Sequence, residues 1–88
     1  ESRPVYGFIH GVGHGVGLEI HEPPRINSVS KIMEVGNVVT VEPGLYYSKA
    51  IGEIQAGGIR IEDILLITDA SARNLTKFPK ALADAIIP

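Results

Sequence analysis

Glycines at four alternate positions, Gly11, Gly13, Gly15 and Gly17, followed by Pro23-Pro24, deny a helix to the first third of this chain. An interior glycine costs a helix about 1 kcal/mol, and two prolines cannot continue one. The segment is therefore read as extended or looped. It also carries all three histidines of the chain, His10, His14 and His21. A glycine-rich backbone can approach a ligand closely, and imidazole is the commonest metal ligand and proton shuttle. No ordinary core needs that combination. His10 and His14 have the i, i+4 spacing of a helical zinc motif, but in an extended segment they would lie about 13 Å apart. One ligand and one helper is the better reading. His14, central among the glycines, is the strongest ligand candidate, with a hydrogen-bonded structural imidazole as the alternative. His10 and His21 are candidates for supporting a metal ligand from behind, for substrate binding or for proton shuttling, with a plain structural role as the alternative for His10.

Several function classes fall away. A dinucleotide-binding loop needs a helix after its glycines, and here Leu18-Glu19-Ile20-His21-Glu22 runs into the two prolines. His21-Glu22 lacks the second histidine of a helical zinc protease. The net charge of -2 arises from scattered residues with no basic block, so neither nucleic acid nor an anionic membrane is an expected partner. There is no cysteine, which excludes disulfides and thiolate zinc sites and permits a reducing cytoplasm, the expected location. Ile64-Leu65-Leu66-Ile67 is the longest apolar run, far too short to span a bilayer. At 88 residues beginning with Glu1, the chain is read as one segment, 1–88, cut from a larger domain.

Further along, residues 37–42 are rich in β-branched side chains and closed by Pro43-Gly44, which predicts a strand. Pro43 pushes Glu42 toward extended dihedrals, so its carboxylate should stand at the strand's end. Residues 58–68 read as one long strand, with Arg60, Glu62, Ile64 and Leu66 on one face and Ile59, Ile61, Asp63 and Leu65 on the other. Both faces are largely apolar, so the strand should be covered on both sides. Residues 23–28 and 56–58 read as loops. Residues 79–87 give one short, marginal helix with Pro79 in its first turn. Three or four strands and one weak helix leave apolar faces uncovered, a sign of a missing half that should associate.

Glu42 follows an apolar run, and Glu62 lies between Ile61 and Asp63-Ile64. A carboxylate ionised in such surroundings costs several kcal/mol unless paired or metal-bound. Arg60 could neutralise one of them as an ion pair. Alternatively, one imidazole and two carboxylates form a hard donor set suited to Mn, Co, Fe or Zn. Tyr46 and Tyr47 read as packing residues, although a hydroxyl near a carboxylate could orient it.

Three motifs in order carry a family resemblance: His10-Gly-Val-Gly-His14-Gly-Val-Gly-Leu-Glu-Ile-His21-Glu-Pro-Pro, Thr40-Val-Glu42-Pro-Gly-Leu-Tyr46, and Gly58-Ile-Arg60-Ile-Glu62-Asp63. Over roughly residues 6–80 the chain resembles the Xaa-Pro dipeptidase (prolidase) and Xaa-Pro aminopeptidase family of pita-bread metallopeptidases. The resemblance implies an α+β fold, of which this chain is the C-terminal, mainly antiparallel β portion. It implies that His14 and Glu42 bind one metal of a dinuclear centre and that Glu62 bridges two divalent ions. Glu42 could also take a proton from the attacking water. His21 would bond the substrate near its scissile carbonyl, His10 would line the pocket, and Arg60 would hold a ligand carboxylate in place. The implied substrate is a peptide with proline second, hydrolysed at the bond preceding it.

One departure matters. The family completes its metal set with two aspartates upstream of the first histidine motif, whereas Asp63, Asp69 and Asp84, the only aspartates here, all lie downstream. The expectation is an inactive isolated chain whose partner is the N-terminal half of the same domain, in a parent that is a homodimer. Two other readings stand beside this one. The first is a catalytically inactive peptide-binding module of the same fold. The second is a methionine aminopeptidase or creatinase-like hydrolase.

Overall fold

The computed structural model describes residues 6–27 and 32–87. Its strands all pair antiparallel and form two sheets. In chain order they are β1 (Tyr6–Gly7), β2 (Gly13–Gly15), β3 (Glu22–Ile26), β4 (Val38–Val41), β5 (Gly44–Tyr47), β6 (Gly57–Arg60), β7 (Asp63–Ile67) and β8 (Ala72–Asn74). The larger sheet runs β3-β2-β4-β7-β8 and the smaller β1-β5-β6. The mainly antiparallel architecture expected from the sequence is present.

The strand expected over 37–42 forms as β4. Its β-branched run packs well on a pleated surface, and Val39 and Thr40 are buried. Glu42 and Pro43 lie just beyond it, before β5 starts in the other sheet. Across the ribbon, Val41 pairs with Asp63 and Gly44 with Arg60. The register is therefore the same on both sides of the interruption, which sets Glu42 opposite Glu62. Both glutamates occupy the bend through which one two-stranded ribbon passes from the larger sheet to the smaller.

That bend corrects the single strand expected over 58–68. The segment is two strands, β6 and β7, in different sheets, broken at Ile61-Glu62. The cause lies on the partner strand: Pro43 has no N–H to give to the ladder, although its carbonyl still accepts from Ile61 N at 3.2 Å. Alternation across residues 58–68 therefore does not hold. Nor is the segment covered on both sides, since β6 is exposed and β7 half-buried.

Three further expectations are corrected. Residues 23–26 lie not in a loop but in β3, with a cis Pro23-Pro24 bond; β3 is an edge strand, where proline's missing donor goes unneeded. Ser28, also assigned to that loop, lies outside the described residues. Gly57 and Gly58 open β6 rather than forming a loop. The helix over 79–87 reduces to a 3-10 turn at Leu82–Ala85, flanked by extended Ala81 and Ile86 and without a side-chain cap. So short a segment with an uncapped start gives too few bonds to repay helix nucleation.

The histidine segment is anchored between strands. Val12 N–H donates to Ile26 O, and Val12 O accepts from Glu42 N, both at 2.6 Å. Gly15 sits opposite Val39. A Cβ on Gly13 would collide with the backbone carbonyl of Thr40, so the close approach of β2 to β4 requires glycine there.

Candidate metal and substrate site

His14 lies in β2, whose register with β3 shifts between His14 and Gly15. Such a bulge re-aims a side chain and is common beside functional sites. The buried Thr40 hydroxyl accepts the His14 backbone N–H at 3.1 Å, fixing the residue from β4. On the ring, Nδ1 lies 2.8 Å from Gly15 O. A carbonyl can only accept, so Nδ1 carries a proton, and whenever the ring is neutral its lone pair is at Nε2. That Nε2 is 3.2 Å from Glu42 Oε2, with the two side chains only 16% and 17% exposed. Two electron-pair donors converge there on one space, which calls for a proton or a cation between them.

His10 has the same internal arrangement. Its Nδ1 donates to Gly11 O at 2.6 Å, and its Nε2 is 2.7 Å from the Tyr46 hydroxyl. The hydroxyl thus donates to His10 and accepts from the Arg60 guanidinium. The Tyr46 contact, reinforced by Glu42 and Glu62, holds Arg60 above its ordinary pKa, so it remains a cation. The Arg60 Nε lies 3.8 Å from Glu62 Oε1, and both side chains are about half exposed. The ion pair weighed as an alternative role for Arg60 therefore exists at contact distance, but its exposure makes it weak. The His21 ring meets His14 edge-on, with centroids 4.6 Å apart and planes at 87°.

His10, His14, His21, Glu42 and Arg60 line one open cavity of about 370 Å³, together with Arg25 and Asn27. Glu62 does not line it. Among the described residues no three histidines, aspartates or glutamates converge as a metal-holding group. The structure thus unites His14 with Glu42, while Glu62 stands opposite Glu42 along the register with its carboxylate toward Arg60. Sequence reasoning passed over Arg25, Asn27 and Thr40, and it treated Tyr46 as packing. Only the placement of Tyr46 within Glu-Pro-Gly-Leu-Tyr pointed to it.

With this geometry in place, comparison with known proteins assigns the class. Residues 3–69 match Metallopeptidase family M24, and the chain belongs to that family. It is 50% identical over 76 residues to the Xaa-Pro dipeptidase of Pyrococcus furiosus, an alignment covering 85% of this chain and 20% of that protein. It is 42% identical over 82 residues to the Xaa-Pro aminopeptidase of Haemophilus influenzae, covering 88% and 19%. Among solved structures, the Xaa-Pro dipeptidase from Bacillus anthracis superposes with a TM-score of 0.73 at 44% identity, covering 86% of this chain and 20% of that one. The two sheets are the mainly antiparallel β portion of the pita-bread fold, and the resemblance read from the three motifs holds. The chain spans about one fifth of the length of these relatives.

Proposed function

We propose that this chain is the C-terminal segment of the catalytic domain of a dinuclear-metal-dependent peptidase, which hydrolyses the bond preceding proline at the N-terminus of dipeptides or longer peptides. The observation that carries the reading is the convergence of His14 Nε2 and Glu42 Oε2 on one partly buried space. A neutral imidazole nitrogen and a carboxylate oxygen form a hard donor pair that fits Mn, Co, Fe or Zn. In this reading His14 and Glu42 would hold an ion, Glu62 would be a further ligand from this chain, and two aspartates from the other half of the domain would complete the set. Such ions, when bound, lower the pKa of water and polarise a carbonyl.

The side chains then divide the remaining work. Glu42 takes the proton of the attacking water, a role that contributes roughly 10²–10⁴-fold in rate for a well-placed base. His21, at the cavity wall beside His14, hydrogen-bonds the scissile carbonyl oxygen as charge develops on it. His10 shapes the pocket. Arg60, tied to Tyr46, holds the Glu62 carboxylate in position. Arg25 adds a positive charge at the cavity wall, suited to the free carboxylate of a dipeptide.

Assaying an Xaa-Pro dipeptide with added Mn tests the proposal. The intact protein should hydrolyse it, and the isolated 88-residue chain, lacking the two aspartates, should not. Turnover by the isolated chain would overturn the need for the other half, and no turnover by the intact protein would overturn the peptidase reading.

A further inference from the structure

The geometry points to Glu22 as a positioning residue, whose carboxylate fixes the turn carrying His21 so that the His21 ring stays against His14; this rests on the reading of His21 as a substrate-facing group. The connection from β2 to β3, residues 16–21, is exposed throughout, with Ile20 at 85% and Leu18 wholly accessible. Side-chain burial therefore cannot order it, and a connection of this kind opens easily unless polar contacts close it.

Glu22 supplies such a contact. It is the first residue of β3, opposite Gly15, next to the register shift that follows His14. Its carboxylate folds back over Gly17, into the space that a Cβ there would need. Its Oε2 accepts the Glu19 backbone N–H at 3.1 Å. A charge-assisted bond to a backbone N–H is among the stronger local fasteners. His21 immediately precedes Glu22, at the bend where the connection enters β3. Tying the Glu22 side chain into the connection holds that bend, from which the His21 ring meets His14 at 4.6 Å between centroids. Gly17 is part of the device, because any larger residue would displace the carboxylate.

The test compares wild type, Glu22→Ala, Glu22→Gln and Gly17→Ala in the intact protein. Three quantities are read: amide exchange at Glu19, the ring-to-ring proton contact between labelled His14 and His21, and kcat on an Xaa-Pro dipeptide at matched metal content. Loss of one such bond should speed Glu19 exchange about tenfold in Glu22→Ala and Gly17→Ala. The ring contact should disappear in both, and kcat should fall about tenfold with metal stoichiometry unchanged. Glu22→Gln, which keeps an acceptor oxygen at the same reach, should restore all three. Unchanged exchange and ring contact in Glu22→Ala would overturn the inference. So would loss of the contact with kcat unaltered, or a glutamine variant behaving like the alanine one. If Glu22→Ala fails to fold, Gly17→Ala against Glu22→Gln gives the same comparison. Wild-type protein that does not cleave the dipeptide refutes the functional proposal alone, because exchange and ring contact are read without turnover.

Discussion

The Nε2 of His14 lies 3.2 Å from the Oε2 of Glu42, and neither atom has a hydrogen to offer the other while His14 is neutral. The pair is held from several directions. Gly15 O fixes the ring tautomer, the Thr40 hydroxyl fixes the His14 backbone, and the Glu42 N–H is bonded to Val12 O. Removing the cation or proton between two such groups leaves them in electrostatic conflict, which makes the gap a place where charge must be supplied.

Tyr46→Phe isolates the hydroxyl that links His10 to Arg60. The ring and its packing remain, but one bond to each partner is lost. The expected effect is a destabilisation of about 1 kcal/mol and a drop of about tenfold in kcat/KM. Denaturant unfolding and steady-state kinetics check the two separately.

Arg25→Met should discriminate between substrates by their free carboxylate. If Arg25 grips the C-terminus of a dipeptide, KM for an Xaa-Pro dipeptide rises about tenfold or more with little change in kcat, the signature of lost ground-state binding. A longer peptide or a dipeptide amide should be hardly affected. Equal losses on all substrates would show that Arg25 does not read the carboxylate.

Gly13→Ala places a methyl group against the Thr40 backbone carbonyl, which cannot swing away as a side chain end could. Separating β2 from β4 should cost on the order of 3 kcal/mol, at the upper end of ordinary point mutations. The melting temperature should fall accordingly, and His14 should lose its bond to Thr40. A variant as stable as wild type would show that the approach of these strands is looser than described.

The ribbon's return into the larger sheet is fastened by Asp63, whose Oδ1 lies 2.9 Å from Lys80 Nζ. The Lys80 ammonium, against partial desolvation and with help from the Asn74 amide, holds the Asp63 carboxyl below its ordinary value. A lowered carboxylate pKa means that the stabilisation is fully present above the unfolded-state value, about 3.9, and is lost as pH falls through the lower folded value. Carboxyl-carbon NMR should show Asp63 titrating below the ordinary range in wild type and nearer to it in Lys80→Met.

What could be read in advance follows from where the signals sit. The β4 strand was legible almost to its boundaries because its β-branched residues lie within it and the closing Pro43 stands just after it. The break at Ile61-Glu62 was not, since apolar character runs through it and the proline responsible belongs to the opposing strand. For β3 the reverse held: Pro23-Pro24 signals a loop locally, and only its place at a sheet edge lets it pair. His14 and Glu42 could be singled out by residue type and motif, but the Tyr46 hydroxyl between His10 and Arg60 depends on a register that no local pattern carries. The 3-10 turn at Leu82–Ala85 marks the limit of propensity in a segment without a cap.

The most direct measurement is calorimetric titration of the metal-free intact protein with Mn, comparing wild type, His14→Ala, Glu42→Gln and the double variant. If the two side chains share one ion, each single change should remove the same binding step, and the double variant should lose nothing further. Independent, additive losses, or a Glu42→Gln protein that keeps the wild-type stoichiometry and affinity, would contradict the shared site.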